Sequence, residues 1–170
     1  PLPIVKIAQL KNGEATWDEV ASPGIAPECI IHDGDVVFSW SGSLMIDLWC
    51  GGKAALNQHL FKVTSTDFPK WFYLSWSNEH LHNFQRIAAD KAVTMGHIKR
   101  SHISEAVCVI PDSILLTKGS EIINPYIEKI VSQRLQNRTL IKLRDTLLPK
   151  LISGVIRIPD AEKLTEEALV

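Results

Sequence analysis

Long apolar runs are missing from this chain. None reaches the roughly 18 consecutive residues that a membrane-spanning helix needs, and the N-terminus lacks the charged-then-apolar order of a signal peptide. The expectation is a soluble, cytoplasmic protein. Cysteine is scarce: Cys29, Cys50 and Cys108 are odd in number, widely spaced and without a Cys-x-x-Cys pair. That argues against a disulfide framework or a zinc cluster and leaves buried or idle thiols. No P-loop is present, so the chain is not an ATP-driven motor, and no internal repeat is visible. An excess of positive charge is also absent, with 18 Lys plus Arg against 19 Asp plus Glu. Counterion release from nucleic acid therefore cannot be driven by the chain as a whole, and any such affinity must come from a local patch or from partners.

What is present suffices for a substantial core: 170 residues, 45% of them hydrophobic, most simply one domain with an appendage. The charge is unevenly spread. Between positions 120 and 157, Lys129, Arg134, Arg138, Lys142, Arg144, Lys150 and Arg157 face only Glu121, Glu128 and Asp145. A second basic cluster holds Lys91, Lys99 and Arg100, with His97 and His102 beside it.

The first part of the chain reads as short strands and turns. Val5 to Leu10 is a strand candidate closed by Lys11-Asn12-Gly13, a turn signal because Asn and Gly tolerate positive φ. Val36-Val37-Phe38 has the β-branched and aromatic character of a core strand, and Leu44 to Cys50 and Leu56 to Val63 give two more. Between 69 and 92 the period changes: Trp71, Phe72, Leu74, Leu81, Phe84, Ile87 and Ala88 recur at helical spacing, with Asp67 as a candidate N-cap and Pro69 in the first turn. Val107, Val109 and Ile110 read as a last strand.

From Ser120 the pattern simplifies. Ile123, Ile127, Ile130, Arg134, Asn137, Ile141, Arg144, Leu148 and Leu151 are separated by steps of four and three, a coiled-coil-like seam with a polar middle. A helix from Ile123 to Ser153 would run about 45 Å. Pro149 predicts a kink or stop near Leu148, Gly154 a C-cap, and the tail from Asp160 a short or frayed helix. The fold class is mixed α/β: a small β-rich unit with packed helices, followed by a long C-terminal helix.

Four stretches in fixed order carry a family likeness: Phe38-Ser-Trp-Ser-Gly-Ser-Leu44, Ala55-Leu-Asn-Gln-His-Leu-Phe-Lys-Val63, Lys91-Ala-Val-Thr-Met-Gly-His-Ile-Lys-Arg100 and Leu143-Arg-Asp-Thr-Leu-Leu-Pro-Lys-Leu-Ile-Ser-Gly154. From roughly Ile31 to Ile158 the chain resembles the DNA-specificity (S) subunit of type I restriction–modification systems. The resemblance implies a non-catalytic target-recognition domain over 1–118, a spacer helix over 119–158 and a tail over 159–170. It implies double-stranded DNA as ligand and methyltransferase (M) subunits as partners, with restriction (R) subunits reached through them. S-adenosylmethionine and ATP would reside on those subunits, with no cofactor on this chain. The family joins two such halves whose helices pair. Here there is one, and the family's recognition domain carries more sequence ahead of the matched region. The expectation is therefore a half-subunit with an N-terminally incomplete recognition domain, open to self-association through its helix.

The residues expected at DNA are Ser39, Ser41, Gly42 and Ser43, small groups that let backbone approach phosphate or base edges. Asn57 and Gln58 follow, as amides suited to adenine, with His59 beside them, and then the basic loop of Thr94, Gly96, His97, Lys99 and Arg100. Each has a structural alternative: Asn-Gln-His can orient a sheet and Ser-Trp-Ser-Gly-Ser can simply turn. On the helix, Ile123, Ile127, Ile130, Arg134, Asn137, Ile141, Arg144, Leu147, Leu148 and Leu151 are the expected partner or dimer interface, against the alternative of a helix packed on its own domain. Two other functions stay open, a helix-mediated interaction fragment without sequence reading and a His-dependent metal enzyme. For the latter, His80 and His82 stand two apart, wrong for one helical face. Asn124-Pro125-Tyr126 resembles the Asn-Pro-Pro-Tyr motif of DNA amino-methyltransferases but lacks a proline. The G-x-S-x-G elbow is absent and Cys108 lies in an apolar run, so neither offers a nucleophile.

Overall fold

The computed structural model describes residues 1–90 and 96–169, in two compact units, Pro1–Val131 and Ser132–Val170. In the first unit, β1 (Leu2–Val5) runs parallel to β6 (Ala54–Leu56), and β2 (Val20–Ala21) and β3 (Ile30–Ile31) flank them antiparallel in the order β2-β1-β6-β3. A second, antiparallel sheet has the order β5 (Met45–Leu48), β4 (Val36–Ser39), β7 (Leu60–Val63). The helices are α1 (Ile7–Asn12), α2 (Lys70–Asp90), α3 (Arg100–Ser104), α4 (Ser113–Ile152) and α5 (Ile158–Leu169).

All four residues of β4 are buried because both faces of that strand are covered. Val37 packs with Val5, Ile31, Ala54 and Leu60, joining the two sheets around Trp49. Alternate residues point the other way, as the pleat requires. Phe38 meets Phe84 and Ala88 of α2, and Val36 meets Leu48 and Ile127 of α4. The mixed α/β class and the long C-terminal helix are as the sequence indicates.

Several local expectations need correction. Val5 to Leu10 is not one strand: β1 ends at Val5 and α1 follows, closed by Gly13 at φ 72°. Leu56 to Val63 is two strands joined by a turn, with Asn57, Gln58 and His59 in the turn. Val107, Val109 and Ile110 form no strand and are exposed at 77%, 72% and 60%. Asp67 does not cap α2. The Ser65 hydroxyl instead accepts from the Asp67 and Phe68 amides, and the helix opens after Pro69.

Helix α4 starts earlier than the periodicity indicates. Asp112 is its cap, accepting the Leu115 amide at 2.8 Å, the bond that satisfies an orphan first-turn donor. Pro149 does not end the helix, which continues to Ile152. Gly154, at φ 71°, does: its amide reaches the Leu151 carbonyl and the Val155 amide reaches Lys150, a Schellman pair. The tail is helical from Ile158.

Candidate nucleic-acid interface

Three of the four sequence stretches meet at Trp40. The strand register leads there: Ser39 pairs with Leu60, and one step on, the Trp40 amide donates to the His59 carbonyl at 3.3 Å. From the other side the Ile98 amide donates to the Trp40 carbonyl at 3.2 Å, and the Gly42 amide to the Gly96 carbonyl at 2.8 Å. Ser41 and His97 form an antiparallel bridge. The loops at 40–44, 57–59 and 96–100, remote in sequence, are therefore laced together by backbone hydrogen bonds. Gly96 suits this because a Cβ there would stand 2.8 Å from the Ala88 carbonyl oxygen, closer than carbon and oxygen tolerate.

The serines divide. Ser39 and Ser41 are buried. The Ser39 hydroxyl donates to the Ser41 carbonyl at 3.1 Å, and the Ser41 hydroxyl pairs with His59 Nδ1 at 2.8 Å. Both hydroxyls are thus engaged inside the fold, while Gly42 and Ser43 are exposed. The Asn57 side-chain oxygen accepts the His59 amide at 3.2 Å, fixing the turn. Gln58, beside it, is exposed. Thr94 lies outside the described residues.

Around Trp40 lies a pocket of about 650 Å³ lined by Phe61, Lys62, His97, Ile98, Lys99, Arg100 and Ile103. Trp40 and Phe61 are stacked, 6.0 Å apart and 16° from parallel, with His97 edge-on at 6.4 Å. Lys62 is committed elsewhere: its ammonium holds the Asp35 carboxylate at 2.9 Å and the Ile30 carbonyl at 3.3 Å. Lys99 and Arg100 are exposed, and supply the positive rim. The Lys99 amide donates to His102 Nδ1 at 3.1 Å, which orders the entry to α3. Trp40, Phe61, Lys62, Ile98 and Ile103 are the pocket residues that sequence reasoning missed, and of these Phe61 is exposed at 42%. The signal for Phe61 was its register opposite the buried Phe38, unreadable without the pairing.

The helix residues also separate. Ile127 is buried against Val36 and Leu48, with Ile123 beside it, so both serve the chain's own core. Ile130 is exposed. In the second unit Leu147 is buried and Leu135, Thr139, Leu143 and Leu151 are half-buried at steps of four, whereas Arg134, Asn137, Ile141, Arg144 and Leu148 are exposed. Arg144 pairs with its neighbour Asp145 at 2.7 Å. No group of three metal-ligating side chains occurs among the described residues, nor any helix long and apolar enough to cross a membrane. None of the three cysteines is in a disulfide.

Comparison with known proteins returns to the family suggested by the motifs. The chain is 36% identical over 70 residues to the type I restriction enzyme MjaIX specificity subunit of Methanocaldococcus jannaschii, a match covering 41% of this chain and 16% of that protein. No family model matches. No solved structure matches.

Proposed function

We propose that this chain is a DNA-recognition half of a type I specificity subunit, non-catalytic itself, that directs methyltransferase and restriction subunits to a DNA site. The observation that carries this reading is the convergence of the loops at 40–44, 57–59 and 96–100 on one basic-rimmed surface; the partial likeness to a named specificity subunit supports it. In this reading Lys99 and Arg100 take phosphates and set the register on the duplex. Gln58, Gly42 and Ser43 approach base edges, where an amide can pair with adenine at two points. S-adenosylmethionine and ATP are held by the partner subunits. Helix α4 is the docking element, through the exposed seam of Ile141, Arg144 and Leu148.

The test is co-purification with a methyltransferase subunit, followed by methylation of a randomised duplex library with S-adenosylmethionine. Methylation confined to a defined site is expected; a complex that methylates without site preference overturns the recognition role. A second reading, a helix-mediated interaction fragment, is favoured by the exposed Leu140, Ile141, Leu148 and Ile152. It is distinguished by self-association without any DNA preference.

A further inference from the structure

The Trp40 pocket has a geometry that duplex reading does not use. The indole is pinned by its backbone on both sides, and its N–H is already committed to the Gln58 carbonyl at 3.1 Å. What remains to offer a ligand is the aromatic surface of the indole together with the 42% exposed Phe61 ring stacked against it. Bases within a duplex present edges to a protein, because their faces are covered by neighbouring bases. A fixed aromatic face with two cations beside it complements a base that has left the stack, with its phosphate still attached. The volume, about 650 Å³, lies within the usual range for a small-molecule site.

We propose that the pocket formed by Trp40, Phe61, His97, Lys99, Arg100 and Ile103 binds a single unstacked nucleoside monophosphate unit, the base on the Trp40–Phe61 surface and the phosphate on Lys99 and Arg100. This rests on the DNA-recognition reading for the source of the nucleotide, an extrahelical base of the bound strand. A free mononucleotide carries the same chemistry. The site is preorganised, since backbone hydrogen bonds from two other loops hold Trp40 in place before any ligand arrives.

The experiment measures binding of the full chain to fluorescein-labelled DNA by anisotropy. One duplex is fully paired, one has the same sequence with a single-nucleotide bulge, and unlabelled deoxynucleoside monophosphates serve as competitors. The bulged duplex is expected to bind about fivefold more tightly, the low end of what one base-on-aromatic stack supplies. Phe61→Ala should abolish that preference. Phe61→Leu, which keeps apolar volume on β7 without the aromatic face, should abolish it too and guards against simple misfolding. Lys99→Ala should weaken both duplexes.

Equal affinity for paired and bulged duplexes, unchanged by either Phe61 variant, overturns the pocket assignment and leaves DNA recognition standing. Saturable mononucleotide binding that is lost in Phe61→Leu, without duplex binding, upholds the pocket and overturns its DNA source. Binding of neither nucleotides nor DNA overturns the pocket assignment, and the methylation test with the partner subunit then decides the recognition reading.

Discussion

At the scale of single residues, side chains of the same type have been given different tasks by their surroundings. Ser41 and Ser43 are two positions apart, yet one is buried on His59 and the other is exposed. Tyr73 shows the same effect in its acidity. Burial, and secondarily the Asp35 charge, push its hydroxyl above the usual value of 10.0, because the phenolate loses hydration and meets a like charge. The folded state therefore favours the protonated form. The associated stability is fully present below pH 10.0 and is lost as pH rises through the folded value. Ultraviolet titration should show a late phenolate step that Tyr73→Phe removes. Lys99 and Arg100 make the other residue-scale prediction. Replacing both with Ala should weaken binding to any duplex and reduce the salt slope by roughly 0.9 for each phosphate no longer neutralised, measured by titration across salt concentrations. An unaltered slope would remove them from the phosphate-binding surface.

At the scale of elements, α4 does two jobs along one continuous helix. Its segment around Ile123 and Ile127 belongs to the core: Ile127 is 9% exposed and meets β4 and β5, whereas Ile130 is 42% exposed. Ile127→Ala should cost about 2–5 kcal/mol in urea denaturation, through reduced burial and the cavity left behind, and Ile130→Ala within about 0.5 kcal/mol. Gly119 gives a sharper case. Ala ordinarily gains about 1 kcal/mol over Gly inside a helix. Here a Cβ would lie 2.6 Å from the Trp71 ring, which is held by a 2.9 Å hydrogen bond to Ser120. Overpacking of this kind costs about 1–3 kcal/mol, so Gly119→Ala should lower the melting temperature rather than raise it.

At the scale of the whole molecule, the surfaces proposed for recognition and for assembly fall on different parts of the chain. The Trp40 surface is built within the first unit, and the exposed Ile141 and Leu148 lie in the second. Ile141→Asp with Leu148→Asp should abolish partner or self-association in sedimentation experiments while leaving the circular dichroism spectrum intact. Loss of helical signal would instead show that these residues stabilise the fold. A near-neutral chain can still engage DNA in this scheme, since Lys99 and Arg100 act locally and partners supply the remaining affinity.

Sequence alone determined the local features: the core strand Val36-Val37-Phe38, the helix beginning near Pro69, the long C-terminal helix and its Gly154 terminus. Each depends on periodicity or on the conformational range of one residue, both written locally in the chain. The Asp112 cap was legible by the same logic but was hidden by the apolar Val107–Ile110 run, which has strand composition without a strand to pair with. Tertiary structure decided the rest. Which serine is accessible, and that Phe61 and Ile103 line a pocket, depend on β4–β7 register and on the approach of residues 96–100 to Trp40. Those are contacts between distant segments, and their partners cannot be chosen from the properties of either segment alone.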